Sequence, residues 1–220
     1  MKKLNFEETK TEEKVVNYWC EIKNEMPNLF KNIKGIILLT HNSIEFVDII
    51  EFLNKTRSNQ FQTILYISLI RSHDYMKKAL EQNPLENKRI FFIDCVSGYV
   101  FIEEDIEECM YHKPPQSLEE TKKIINFGIK KINPDIVILD SLSHLINFSK
   151  ITKEEINGFN NFLRKIKEEM KNSSKKTFIL LYDTKMKMIK NLPNNFTDIV
   201  LKIEISENKK SLEKSYHFDF

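Results

Sequence analysis

Five unbroken apolar runs punctuate the chain. They are Gly35-Ile36-Ile37-Leu38-Leu39-Thr40, the stretch 63–70, Arg89-Ile90-Phe91-Phe92-Ile93-Asp94, Asp135-Ile136-Val137-Ile138-Leu139-Asp140, and the stretch 176–183. Runs without polar alternation predict strands covered on both faces, the mark of a parallel sheet between helix layers. Between them the period changes to a helical one, over 43–55 and about 74–82. Two further helices announce their starts with serine or threonine and glutamate three residues apart. One is Ser117-Leu118-Glu119-Glu120; the other is Thr152-Lys153-Glu154-Glu155, opening a helix to about Lys171. In that helix Ile156, Phe159, Phe162, Leu163 and Ile166 form the inner face. The tail differs: 198–205 and 212–218 alternate in part and flank Glu207-Asn208-Lys209-Lys210, which predicts an antiparallel hairpin at the sheet edge.

Two segments stand outside this rhythm. Over 1–33, Val15, Val16, Tyr18, Trp19 and Ile22 give an apolar stripe near helical spacing, interrupted at Pro27. It reads as a helix packed on the core, with a partner-binding helix as the alternative. The stretch 97–115 is the one long irregular connection, and long loops inside compact α/β domains often carry function. No repeat or linker divides the chain, so 34–220 reads as one α/β domain with 1–33 laid against it.

Composition narrows the function classes. Lys+Arg 34 against Asp+Glu 32 leaves no strong basic balance, which counts against nucleic acid as a partner. No apolar run approaches a membrane span and the N-terminus has no signal-peptide core. The three cysteines, Cys20, Cys95 and Cys109, form neither a disulfide framework nor a zinc signature, which points to a cytoplasmic protein. Cys95 reads as a small core residue. Four glycines stand where average usage of about 7% would give roughly fifteen. Gly35, Gly98, Gly128 and Gly158 are too far apart to build a phosphate-cradling loop.

The histidines are scattered, and the expectation is that only His41 and His144 meet at the carboxyl ends of the strands, where open α/β sheets bind ligands. With Asp140 and Asp183 they have the chemistry of a histidine–carboxylate metal site, but residue types alone make no site, and no metal is assigned. His144 beside Ser141 or Ser143 lacks the strand–turn–helix setting of a nucleophile. Lys185-Met186-Lys187-Met188-Ile189-Lys190 reads as a solvated or partner-facing loop.

This order of elements resembles the RecA-like ATPases, and among them the KaiC-like proteins, from about residue 34 to 204. The stretch Asn133-Pro134-Asp135-Ile136-Val137-Ile138-Leu139-Asp140-Ser141-Leu142-Ser143-His144-Leu145 resembles the family's Walker B strand, with its acid at Asp140. Phe91-Phe92-Ile93-Asp94-Cys95-Val96-Ser97 resembles the strand before the family's variable loop. The resemblance implies a three-layer, mostly parallel RecA-like sheet with helices on both faces and an antiparallel C-terminal extension. It implies the strand order third, second, fourth, fifth, first, then the tail.

The family's chemistry needs three features that this chain lacks. There is no G-x-x-x-x-G-K-[ST] loop; after Thr40 the chain reads His41-Asn42-Ser43-Ile44-Glu45. Asn42 and Glu45 read as a capping box that satisfies the amides a phosphate would use. Glu45 also sets a negative charge where an anion would sit, a repulsion of roughly 4 kcal/mol at about 4 Å and an effective dielectric near 20. Finally, the second strand ends Tyr66-Ile67-Ser68-Leu69-Ile70-Arg71-Ser72, without the acid that would serve as general base. Asp140 then reads as a carboxylate capping nearby backbone or hydroxyl groups.

The reading is a catalytically inactive KaiC/RecA-like protein with no cofactor. It acts through a protein partner or as a homo-oligomer, in regulation or signalling. The expected contact surface is 99–115, with Tyr99, Phe101, Met110 and Tyr111 as anchors and Glu103, Glu104, Asp105, Glu107 and Glu108 as a steering field. The alternatives are an ATPase holding ATP and Mg at a non-standard site of Thr40, Asn42, Ser43, Asp140 and Ser141, or a recombination-type nucleic-acid-associated paralogue.

Overall fold

Seven of the eight described strands run parallel and one sheet holds all eight. The computed structural model describes residues 35–42, 44–55, 63–99, 104–144, 152–171, 176–185, 197–205 and 210–216. The strands are β1 (Gly35–His41), β2 (Thr63–Ser68), β3 (Arg89–Asp94), β4 (Cys109–Tyr111), β5 (Ile136–Asp140), β6 (Thr177–Asp183), β7 (Ile199–Ile205) and β8 (Lys210–Tyr216). The described helices are α1 (Phe46–Lys55), α2 (His73–Gln82), α3 (Leu118–Ile132) and α4 (Lys153–Lys171). The sheet order is β4-β3-β2-β5-β6-β1-β7-β8, with β8 antiparallel to β7. The order expected for the five central strands and the tail is therefore the one observed. The expected N-terminal helix and most of the basic stretch after Lys185 lie outside the described residues.

The unbroken runs are explained by the two faces. Ile37 and Leu39 of β1, with Ile64 and Tyr66 of β2, pack against Phe46, Ile50 and Leu53 of α1 and Met76 of α2. Ile36 and Leu38, with Leu65 and Ile67, face Ile124 and Ile125 of α3 and Phe159, Leu163 and Ile166 of α4. Successive strand residues point to opposite faces, and each face has a helix layer to bury it, so the middle positions of these strands are apolar. Gly35 opens β1 at φ +117, and the space a Cβ would take there is filled by Asp198. The Asp198 carboxylate accepts the Ile36 N–H at 2.8 Å and pairs with Lys167 at 2.9 Å.

The capping box expected at Thr152 forms in full, and the one at Ser117 forms in its serine half, its glutamate reaching the residue before the cap. The Ser117 hydroxyl accepts the Glu120 N–H at 3.1 Å, while the Glu120 carboxylate accepts from Gln116 N–H at 2.6 Å. Thr152 accepts the Glu155 N–H at 3.1 Å and Glu155 reaches back to the Thr152 N–H at 2.9 Å. Each such cap is worth about 1 kcal/mol.

Two local expectations need correction. The helix after β1 begins at Phe46, not at 43, and its entry also uses His41 and Asp48, while the Glu45 carbonyl accepts the Asp48 N–H at 3.1 Å. Asp48 accepts the Glu45 N–H at 3.1 Å and His41 Nδ1 accepts the Ile44 N–H at 3.1 Å. The stretch 97–115 is not irregular throughout. A three-residue strand, β4, pairs with β3 in the register Phe92↔Cys109, Ile93↔Met110 and Asp94↔Tyr111. Met110 is thereby buried in the core, and Tyr111 packs partly buried against it, so neither is a free contact anchor. Three residues are too short to show a period, so only pairing with β3 reveals the strand.

Candidate functional site

The carboxyl ends of β1, β2, β5 and β6 gather most of the residues singled out by the sequence. Thr40 is nearly buried and donates its hydroxyl to the Leu201 carbonyl at 3.2 Å, a bond within the sheet. Asn42 is half-buried on the turn after β1, and Ser43 lies outside the described residues. Asp140 ends β5, in register with Ser68 of β2, and both are fully buried. The peptide joining Asp140 to Ser141 is cis. The Ser141 and Ser143 hydroxyls bond to each other, and Ser143 Oγ accepts the Asp183 N–H at 3.0 Å.

Asp140 is engaged by two donors that sequence reasoning did not assign to it. The Tyr66 hydroxyl and Arg71 Nη1 both donate to Asp140 Oδ2. Tyr66 reaches it because alternate residues of β2 face the α1 side, where its ring packs edge-on to Phe46 at 5.1 Å between centroids. Arg71 is placed by the turn after β2. The Ser68 hydroxyl accepts the Arg71 N–H at 2.9 Å and donates to the Arg71 carbonyl at 2.6 Å. The turn is tied to β5 as well, since the Leu69 N–H donates to the Asp140 carbonyl. Asp140 does bond a hydroxyl, as expected of a capping carboxylate; its ionic partner was missed. The available signal was a single arginine at the end of a strand that lacks an acid.

The guanidinium reaches two elements at once. Nη2 donates to the Ile44 carbonyl at 3.0 Å and lies 3.6 Å from the exposed Glu45 carboxylate. Ile44 N–H is in turn held by His41 Nδ1. A continuous chain of bonds thus runs from Tyr66 through Asp140 and Arg71 to Ile44 and His41. Burial works against the charge on Arg71, and Asp140 with Tyr66 more than reverses this, so the guanidinium stays charged above its ordinary range. Burial raises the Tyr66 phenol well above its ordinary value, and the neighbouring Asp140 adds to the shift.

His41 is nearly buried, and burial lowers its pKa against the pull of Asp140 and Asp183. Because Nδ1 accepts from a backbone N–H, the ring proton sits on Nε2. That Nε2 and Asp140 Oδ1 are buried polar atoms without a hydrogen-bond partner among the described residues. His144 is half-buried near Asp140, and burial lowers its pKa too. The expectation that only these two histidines reach the strand ends needs correction. His73 opens α2 right after the β2 turn, its N–H donating to Asp94 at 2.7 Å and its ring 3.3 Å from the Tyr111 hydroxyl. Asp94 also accepts from Val96 N–H, Ser97 N–H and the Ser97 hydroxyl, so its role is to cap the turn after β3.

Among the described residues no three of His, Cys, Asp and Glu are arranged to hold a metal ion. Cys95 is buried in the core, and burial raises its thiol pKa; that of Cys109 is likewise pushed up to about 12 by burial. Both are therefore protonated and unreactive at neutral pH.

A sheet of seven parallel strands in this order, layered by helices and ending in an antiparallel strand, is a RecA-like α/β domain. The solved structures it resembles include a KaiC-like protein and a flagellar accessory protein. The structure of a KaiC-like protein from the hyperthermophilic archaeon Pyrococcus horikoshii OT3 superposes with a TM-score of 0.52 at 13% identity, over 83% of this chain and 78% of that one. The flagellar accessory protein FlaH of Methanocaldococcus jannaschii superposes with a TM-score of 0.52 at 12% identity, over 83% of this chain and 77% of that one. No family model matches the chain, and no curated protein matches it significantly in sequence. Identities this low establish the fold and carry no activity. Among the described residues no helix is long and apolar enough to cross a membrane.

Proposed function

We propose that this chain is a catalytically inactive RecA-like protein that works by contact, with a protein partner or a second copy of itself, in a regulatory or signalling role. The observation that carries the reading is the Asp140 carboxylate, bonded from within by Arg71 and Tyr66. A magnesium–nucleotide needs a free carboxylate, free backbone amides and a cationic side chain turned toward phosphate. Here Arg71 turns toward Asp140, the Ile44 N–H is held by His41, and the Glu45 N–H is held by Asp48. The residues present do not fit the cofactor. Free, buried Cys95 and Cys109 suit a reducing cytoplasm.

The contact surface in this reading is the acidic face beside β4. Ile106 and Phe127 expose 48% and 46% of their surfaces, large values for apolar side chains. Lys131 lies 5.5 Å from the Phe127 ring and 3.6 Å from Asp105, the residue before Ile106. Glu104, Glu107 and Glu108 are exposed around Ile106. An apolar pair rimmed by acids fits a partner with a basic, partly apolar face.

The test is a thermal melt and a phosphate-release assay with magnesium–ATP. The melting temperature is expected to stay put and no phosphate to appear. A ligand at 100 times its dissociation constant adds about 2.7 kcal/mol, which a melt detects easily. A clear upward shift that Asp140→Ala abolishes would overturn the reading in favour of a nucleotide-binding protein.

A further inference from the structure

We propose that Arg71 is a tethered counter-ion. Its guanidinium occupies the place at Asp140 that a soluble cation would otherwise take, and through the Ile44 carbonyl it fixes the turn between β1 and α1. The site is in this way filled by the chain itself. The inference rests on the reading of the site as inactive, and adds to it what keeps the site shut.

Three observations converge on this. Both ends of the pair are withdrawn from water, the Arg71 side chain being 12% and the Asp140 side chain 1% exposed. The guanidinium pairs with two carboxylates of the site, Asp140 and Glu45. Its two terminal nitrogens point to different elements, Nη1 to β5 and Nη2 to the turn entering α1. A lysine ammonium has one charged atom and could not serve both with the same stem; the planar fork of arginine can. The backbone of Arg71 is itself pinned by Ser68, so little conformational freedom is lost when the fork closes.

The charge arithmetic explains why the contact would be kept. A carboxylate as deeply buried as Asp140 is strongly disfavoured alone. Elsewhere such an acid is balanced by a diffusible ion. Here the balancing charge is covalently attached and cannot be diluted away. Asp140 Oδ2, the Ile44 carbonyl and the Glu45 carboxylate are three acceptors divided between the two terminal nitrogens, which suits the forked guanidinium.

The experiment removes the tether and supplies the ion. Arg71→Ala should melt lower than wild type by roughly 10 °C, as expected for one orphaned buried charge in a chain of this size. Low-millimolar guanidinium chloride should restore part of that loss, sodium chloride at the same concentration should not, and wild type should gain nothing. Asp140→Asn in the Arg71→Ala background should abolish the rescue. An unchanged melt, or a recovery no greater with guanidinium than with sodium, overturns the inference. Should Arg71→Ala fail to fold, Arg71→Met is compared with Arg71→Met/Asp140→Leu. The double variant lacks the orphaned carboxylate and should be the more stable; if it is no more stable than the single, the inference falls. No nucleotide enters these measurements. ATP hydrolysis by wild type would thus overturn the proposed function alone, and loss of the rescue would overturn the counter-ion alone.

Discussion

Arg71, on the turn after β2, and Asp140, at the end of β5, form an ion pair inside the molecule although they stand 69 residues apart in the chain. The pair joins the neighbouring strands β2 and β5 at their carboxyl ends and ties both to the entry of α1 through the Ile44 carbonyl. Such a pair adds little stability against an apolar replacement of both residues, yet breaking it from one side is severe.

That asymmetry sets the first prediction. A carboxylate that merely caps hydroxyls would tolerate Asp140→Asn, because the amide still accepts. With Arg71 as partner, Asp140→Asn leaves a half-buried cation without its charge and should cost about 3–5 kcal/mol. Asp140→Leu should cost at least as much. Urea unfolding at constant m-value measures both. A loss below about 1 kcal/mol for Asp140→Asn would mean the pair contributes no more than an exposed one.

Tyr66→Phe tests the second donor. The ring should keep its packing against Phe46 and Phe92, whose centroids lie 5.1 and 6.1 Å away. Only the hydroxyl bond to the Asp140 carboxylate is lost, and bonds to charged groups are worth about 1.5–3 kcal/mol. Combined with Asp140→Asn the losses should not add, since both act on one carboxylate. Additivity within about 0.5 kcal/mol would place the two residues in separate networks.

Acidity should weaken the fold through the histidines. Burial lowers the pKa of His41, His73 and His144 in the folded chain. Below about pH 6.5 the unfolded chain therefore binds more protons than the folded one, and stability falls as pH falls. Each such histidine contributes a slope of at most about 1.4 kcal/mol per pH unit. His41→Asn keeps an acceptor for the Ile44 N–H and should flatten the profile between pH 7 and 5. If unfolding free energies of wild type and variant run parallel across that range, His41 is not one of the groups responsible.

The contact surface predicts a division between folding and association. Ile106 and Phe127 are exposed, so Ile106→Ser with Phe127→Ser should change stability by less than about 1 kcal/mol in total. Cross-linking to partner or to a second copy should fall sharply in the same variant, and wild-type association should weaken as salt rises. Undiminished cross-linking by a folded double variant would remove this face from consideration.

The sheet was legible in the sequence because burial on both faces forces the middle of each of the five runs to be apolar. Ile36-Ile37-Leu38-Leu39 and Ile136-Val137-Ile138-Leu139 can hardly be read otherwise. The helix starts at Ser117 and Thr152 were legible because a capping box is a local bond between residues three apart. Asp140 could be placed at a strand end for the same local reason. What it holds could not, since Tyr66 and Arg71 come within bonding distance only after β2 and β5 pair with Ser68 beside Asp140. Strand β4 likewise owes its existence to the β3 edge, which turns Met110 inward and takes it away from any partner. Local hydrogen bonds and periodic burial are encoded residue by residue. The charge balance of the site arises only when distant strand ends are brought together in one low-dielectric place, and there the tertiary structure alone decides which cation faces which carboxylate.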